Sequence, residues 1–233
     1  MGGGVAAIVP AAGLGTRFGG RARKLFASIG GKPLLAHTLL VLQAADAIQW
    51  IQVVVRPAER SGIRRLIARY RITKALVPCA GGASRSESVA NGFRVLPSGA
   101  RWILVHDGAR PCVSHRLIQS AVRAARHRGA VACGLPAPLT VKDVKPSGEV
   151  RATLDRRRLW LVQTPQVFRR DLFAAALSRA RNGFDRFPDD AAVVEAAGVR
   201  VWMVPGDSLN IKVTTREDLI FAEAIIRAKR HHN

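Results

Sequence analysis

The sequence predicts an α/β fold: a doubly wound, mostly parallel sheet with helices on both faces and one β-hairpin arm protruding from it. Three observations carry this expectation. Short apolar runs alternate with amphipathic stretches of helical length from residue 5 to 135, the pattern of right-handed β–α–β crossovers. Three loops rich in small residues each come directly after one of the apolar runs, where parallel sheets bind their ligands. The rhythm then breaks over 136–163, where Thr140-Val-Lys142 and the run 150–154 flank a Pro146-Ser147-Gly148 turn. Together these describe a Rossmann-like single domain over 1–233 with 136–163 as a β-arm. The Val and Leu side chains of the arm need a partner, and a second subunit supplies one.

The first element, Val5-Ala6-Ala7-Ile8-Val9, reads as a buried parallel strand. Residues 10–24, P-A-A-G-L-G-T-R-F-G-G-R-A-R-K, follow it. Small residues let this backbone turn tightly and approach a ligand, and Arg17, Arg21, Arg23 and Lys24 fall within eight positions. A bare loop followed by clustered cations suits a polyphosphate, whose oxygens backbone N–H groups cradle while Arg and Lys neutralise the charge. It is not a P-loop, because Leu25 follows Lys24 and no glycine directly precedes it. Nor is it a dinucleotide fingerprint: Gly13 and Gly15 begin one, but Phe18 stands at the third glycine, which disfavours a dehydrogenase.

Pro33 suits the first position of a helix over 33–45, with Leu34, Leu35, Leu39 and Leu42 at helical spacing. A strand over 51–55 and a helix over 59–70 come next; Arg64, Arg65 and Arg69 of that helix form a solvated face. A third short strand over 75–77 opens into Gly81-Gly82-Ala83-Ser84-Arg85-Ser86, where Ser84 or Ser86 caps a helix running to about residue 96. A strand over 102–105 ends in His106-Asp107-Gly108-Ala109-Arg110-Pro111. Ser114 caps a helix to about 127, and 131–135 is a fifth strand. After the arm come Trp160 to Gln166, then a helix over 171–181. A short helix capped by Asp189-Asp190 ends at Gly198, and 199–204 is a sixth strand. Asp207 to Thr214 lead to a last helix with a Thr215/Asp218 capping box.

At 233 residues and 48% hydrophobic the chain can bury one sizeable core, and no apolar run approaches a membrane span. No signal segment opens it, and Cys79, Cys112 and Cys133 stand in no metal spacing, so a cytoplasmic protein with buried thiols is expected. The net charge is +21. Such a surplus fits an anionic small substrate or nucleic acid. The cations are spread along the whole chain, however, and there is a single Tyr, so the basic stripes interleaved with aromatics of a nucleic-acid binder are absent.

Several side chains stand where chemistry is possible. Asp107 is either a turn carboxylate or a metal or ribose contact beside phosphates. Arg110 either pairs with it or binds a second anion. Lys212 follows the sixth strand and reaches the same rim if that strand is parallel. One of Arg156, Arg157 and Arg158, at the base of the arm, could grip a phosphate monoester with its fork. His37, His115 and His127 lie on helices without partners in reach. There is no G-x-S-x-G elbow and no His/Cys zinc spacing.

P-A-A-G-L-G-T-R with Lys24, G-G-A-S-R-S-E-S-V, V-H-D-G-A-R-P, T-L-D-R…L-W…Q-T-P-Q and N-I-K-V-T occur in this order. The sequence thereby resembles the 2-C-methyl-D-erythritol 4-phosphate cytidylyltransferases of the non-mevalonate isoprenoid pathway, from residue 5 to about 219. The resemblance implies attack of the methylerythritol phosphate on the α-phosphorus of CTP, with Mg²⁺ as the metal and a homodimer whose arm crosses to the other subunit. It implies that Arg17 and Lys24 bind the triphosphate and stabilise the charge at the α-phosphorus, and that Arg156 and Lys212 position the attacking phosphate. Ala11, Ala12, Gly13, Gly82 and Ser88 would line the nucleotide pocket. Asp107 would sit near ribose, substrate hydroxyls and Mg²⁺, and Arg110, Thr140 and Thr164 would hold the sugar-alcohol phosphate. Two positions depart from the family pattern, Leu139 in place of an Asp and Pro188 in place of a Thr, both at the alcohol end of the substrate. The alternatives are the same fold acting on ribitol 5-phosphate and, in a different class, a basic nucleic-acid-binding module.

Overall fold

The computed structural model describes residues 3–13, 18, 24–180 and 183–231. Arg17, and with it Arg21 and Arg23, lies outside the described residues. In chain order the regular elements are β1 (Gly4–Pro10), β2 (Ser28–Ile29), β3 (Lys32–Pro33), α1 (Leu34–Ala44), β4 (Ile48–Val55), α2 (Arg60–Arg69), β5 (Cys79–Ala80), α3 (Arg85–Arg94), β6 (Ala100–Val105) and α4 (His115–Arg128). There follow β7 (Ala130–Pro136), β8 (Val141–Val144), β9 (Val150–Leu154), β10 (Trp160–Arg169), α5 (Arg170–Arg179), α6 (Asp190–Ala196), β11 (Trp202–Pro205) and α7 (Glu217–His231).

The central sheet has seven strands in the order β11-β7-β10-β6-β1-β4-β5. β10 runs antiparallel to both its neighbours; the other pairings are parallel. The sheet is buried on both faces because side chains alternate along each strand. On β1, Val5, Ala7 and Val9 join Leu35 and Leu39 of α1, Ile63 of α2 and Ile118 of α4 in one apolar cluster. Ala6 and Ile8 join Val89 of α3, Phe173 of α5 and Val194 of α6 in the other. A third cluster seats α7: Phe18, Ile29, Leu34, Val213 and Ala222. The residue that breaks the dinucleotide fingerprint is thus a core side chain.

Local chemistry sets the ends of the helices. Ser84, rather than Ser86, caps α3 by accepting from Glu87 N–H, and Ser114 caps α4 by accepting from Leu117 N–H. Gly129, at φ +84°, closes α4. Thr215 and Asp218 exchange the capping-box bonds before α7. On α3 the tight point is Gly92, where a Cβ would come within 2.7 Å of Val54 Cγ2 and 2.9 Å of Ile8 Cγ2. Gly92→Ala, a change that ordinarily strengthens a helix, is therefore expected to destabilise the fold by about 1–3 kcal/mol through overpacking. Urea unfolding checks this; a gain in stability would contradict it.

Four expectations need correction. The third strand is not at 75–77. Ala75 makes a lone bridge to Ile51, and the paired residues are Cys79 and Ala80. Pro78 has no N–H to give a ladder, Val77 is 61% exposed, and the Val77 carbonyl is taken by the Gln52 side chain. The second correction is β10, a ten-residue strand for which the sequence reading named no element. Pro165 argues against a strand; it is accommodated at an irregularity in the ladder between Gln163 and Gln166. Pairing of Trp160 with Pro136 and of Gln163 with Cys133 also extends the main sheet into the segment expected to form the arm, so the free hairpin is β8–β9, narrower than 136–163. Third, His37 has a partner: it is buried and its Nε2 lies 2.8 Å from the Ile29 carbonyl. Fourth, Cys112 and Cys133 are buried thiols, but Cys79 is only half-buried.

Candidate active site

β1, β5 and β6 run the same way, so the loops that leave them open on one edge of the sheet. Backbone bonds pull these loops together: Ala11 N–H donates to Val54 O at 2.7 Å, Gly81 N–H to Val55 O at 2.8 Å, and His106 N–H to Ile8 O at 3.0 Å. Close approach has a steric condition at Gly81, where a Cβ would lie 2.5 Å from Ala12 Cβ. β11 is parallel to β7, which brings the Lys212 loop to the same rim, and Val213 N–H donates to Ala109 O at 2.9 Å.

The result is a cleft of about 560 Å³. Ala11, Ala12, Gly13, Lys24, Gly82, Ser88, Asp107 and Lys212, all expected at the site, line it. Arg56 and Arg85, which were not expected, line it too. Ser88 Oγ accepts from Gly82 N–H at 3.1 Å and donates to Ser84 O at 2.9 Å, so this serine shapes the loop.

Asp107 is the electrostatic centre. Its Oδ1 accepts from Arg85 Nε at 3.0 Å and Nη2 at 2.9 Å, and its Oδ2 lies 2.7 Å from Lys212 Nζ. Arg110 Nε stands 3.9 Å from Oδ2 and has no hydrogen-bond partner among the described residues. Burial works to raise the Asp107 carboxyl, but Arg85, Lys212 and Arg110 outweigh it and hold the group well below the usual carboxylate range. The Asp107 carbonyl accepts from Arg110 N–H in the turn, and the residue also lines the cleft. Arg110 is paired with Asp107, and its Nη1 donates to Asn210 O at 2.8 Å. Burial depresses the Arg110 guanidinium.

Behind Asp107 lies a fixed hydrogen-bond chain. His106 Nε2–H donates to Arg110 O at 3.2 Å, which leaves Nδ1 to accept from the Thr164 hydroxyl at 3.1 Å. The Thr164 oxygen in turn accepts from Asp107 N–H at 3.1 Å. The Thr164 hydroxyl thus gives its proton to His106 and accepts from Asp107 N–H inside the fold, and the residue is buried. Burial, the largest influence, lowers the His106 pKa to about 4. A histidine lowered in the folded state binds its proton more readily unfolded. Its contribution is present above the ordinary value near 6.5 and is lost as pH falls toward 4, a difference of roughly 3 kcal/mol. Stability is expected to fall over that interval in wild type and to fall less in His106→Asn, as thermal unfolding against pH would register; parallel curves would contradict it.

The structure does not bring every expected residue to this cleft. Thr140 and Arg156 sit on the hairpin side; Arg156 is exposed and donates to the Pro138 carbonyl. Neither is among the residues lining the cleft. Sequence reading missed Arg85, Asp190, His106 and Asn210 as members of this network. Arg85 meets Asp190 across 105 positions, and no local signal announces such a pair.

The family model of IspD, 2-C-methyl-D-erythritol 4-phosphate cytidylyltransferase, matches residues 5–228. The chain belongs to this family. Among relatives bearing the same enzyme name, that of Pelotomaculum thermopropionicum is 42% identical over 226 residues, covering 97% of this chain and 95% of the relative. That of a Nostoc species is 38% identical over 223 residues, covering 95% and 97%. A solved structure, the 4-diphosphocytidyl-2C-methyl-D-erythritol synthase of Anaerococcus prevotii, superimposes with a TM-score of 0.85 at 29% identity, covering 97% of this chain and all of that one. This IspD family member therefore shares its fold with that structure across almost the whole chain.

Proposed function

We propose that the protein joins CTP to 2-C-methyl-D-erythritol 4-phosphate, giving 4-diphosphocytidyl-2-C-methyl-D-erythritol and pyrophosphate in isoprenoid biosynthesis. The observation that carries this reading is the meeting of Lys212 and Asp107, 2.7 Å apart, in a cleft that Lys24 and the 11–13 and 82 backbone also line. The geometry suits two anions that would otherwise repel. A phosphate oxygen of the sugar-alcohol phosphate attacks the α-phosphorus, a P–O bond forms, the α–β P–O bond breaks, and pyrophosphate leaves with its electrons. The attacking monoester is already anionic, so no general base is required, and catalysis rests on positioning and charge neutralisation.

In this reading Lys24, with Arg17, holds the triphosphate. Ala11, Ala12, Gly13, Gly82 and Ser88 shape the nucleotide pocket, Lys212 orients the attacking phosphate, and Arg110 supports it from behind Asp107. Thr164 acts through Asp107 and His106, since its hydroxyl is engaged there. Among the described residues no cluster of three or more His, Cys, Asp or Glu could hold a metal ion. Asp107 is the carboxylate among the residues that line the cleft, and Mg²⁺ binds through one or two carboxylates and substrate phosphates rather than a protein cage. Asp107 would hold it with the triphosphate, and its charge would favour departure of pyrophosphate.

Leu139, 75% exposed, and Val144, Val150 and Leu154, also exposed, leave the hairpin with uncovered apolar surface. We infer a homodimer in which this surface is buried and Thr140 and Arg156 approach the other subunit's cleft, all within one nucleotidyltransferase domain per chain. Among the described residues no helix is long and apolar enough to cross a membrane. A cytoplasmic setting suits the free cysteines, and neither nucleic acid nor membrane is expected as a partner.

Incubation with CTP, Mg²⁺ and 2-C-methyl-D-erythritol 4-phosphate should release pyrophosphate and yield the cytidine-diphosphate product. Turnover with ribitol 5-phosphate but not with the methylerythritol compound would refute the substrate. No turnover with either would refute the reaction.

A further inference from the structure

Three features outside the roles above are candidates. A basic recess of Arg101, Arg169 and Arg170 has two of its three cations engaged: Arg169 with Asp171, and Arg170 with the Pro97 and Ala100 carbonyls. The exposed edge at Trp202 and Met203 offers nothing that identifies an occupant. The third, a buried carboxylate linked to Asp107, goes further.

Asp190 is the first residue of α6, and its side chain is 1% exposed. Its Oδ2 accepts from Arg85 Nη1 at 2.8 Å. The same guanidinium gives its Nε and Nη2 to Asp107 Oδ1. One planar fork thus spans two carboxylates, a geometry that a lysine cannot copy. The fork leaves the Oδ2 edge of Asp107 for Lys212. Asp190 is itself held in place, since Gln166 of β10 donates to Asp189 Oδ2 at 2.9 Å and accepts from Ala191 N–H at 2.9 Å, fixing the start of α6. Burial works to raise the Asp190 carboxyl, and Arg85 works against it. A charge placed so deep is costly, and a bridge meant only to pin α3 to α6 could be replaced by apolar contacts at no loss.

We infer that Arg85 and Asp190 are positioning residues of the nucleotidyl transfer: Asp190 anchors Arg85, and Arg85 sets the rotamer and orientation of Asp107 at the cleft. The inference rests on the reading of Asp107 as a group that faces the reactants.

A pair of variants separates this from a purely structural bridge. Arg85→Gln leaves Asp190 buried and unpaired, so thermal stability should drop by roughly 10 °C and turnover should drop with it. Arg85→Gln combined with Asp190→Asn removes both charges. Stability should return to near wild type, while kcat stays down by about 10²-fold, the scale set by misplacing a group at the chemistry. Recovery of kcat together with stability would overturn the inference, because the bridge would then serve the fold alone. Failure of the double variant to regain stability would overturn it as well, since Asp190 would not be answering the charge of Arg85. Asp107→Asn, measured in parallel, isolates the underlying reading: full turnover in that variant removes the role of Asp107 and the inference with it. Lost turnover there beside a fully active double variant overturns the inference and leaves the role of Asp107 standing.

Discussion

Lys24→Ala is expected to lower kcat/KM by roughly 10²–10³, the scale of one preorganised charge contact to a transition state. The reason lies in the location of the side chain. Lys24 opens a single turn of 3₁₀ helix, Lys24–Phe26, whose Leu25 and Phe26 pack against the core, so Lys24 lines the cleft from a seated base. Nucleotidyl transfer crowds negative charge around the α-phosphorus, and a fixed cation there lowers the barrier more than it lowers the ground state. The loss should therefore appear in kcat as well as in KM for CTP, with thermal stability little changed because the residue is not buried in the core. Steady-state pyrophosphate release across CTP concentrations measures it. Turnover close to wild type would remove Lys24 from the mechanism.

Asp107→Asn should be costly on two counts. Arg85, Lys212 and Arg110 converge on this carboxylate, and an amide cannot neutralise them, so the variant is expected to lose about 3–5 kcal/mol of stability, as for a buried ion pair with one partner removed. Turnover should fall by roughly 10² or more, because the cations that Asp107 orders are the ones meant for phosphate. The pH dependence follows from the sign of the shift. Asp107 is held below its ordinary value, so the folded protein binds this proton less readily than the unfolded chain does. Its contribution is complete above the ordinary Asp value near 4 and is lost as the medium becomes more acid. Wild type should lose stability steeply below about pH 4 and the variant less steeply. Denaturant titrations at a series of pH values would show this, and equal slopes would count against the network.

How much of this was legible beforehand depends on whether the signal is local. The strand at residues 5–9 is a run of five buried apolar residues, and Ser114 and the Thr215/Asp218 pair cap helices within four residues of themselves. Such features are written into neighbouring positions, so the order of elements and the small-residue loops of the site could be read directly. β10 could not, because Pro165 hides a strand that is stabilised by two flanking partners rather than by its own composition. The strand expected at 75–77 moved to Cys79–Ala80 because Pro78 has no N–H to give and the Gln52 side chain takes the Val77 carbonyl, so the ladder with β4 forms beyond them.

By itself, the sequence determined that glycine- and alanine-rich loops would close the carboxyl ends of parallel strands and that cations would stand near them, since backbone permissiveness and side-chain charge belong to each residue wherever it is placed. Only the tertiary structure decided which cations share a carboxylate. Arg85, Arg110 and Lys212 are well separated along the chain, yet they surround Asp107 because strand direction and the tie from Val213 to Ala109 bring their loops to one rim. Asp190 joins them only through the packing of α6 against the sheet. Coulomb interactions depend on distance in space, and that distance is set by the fold.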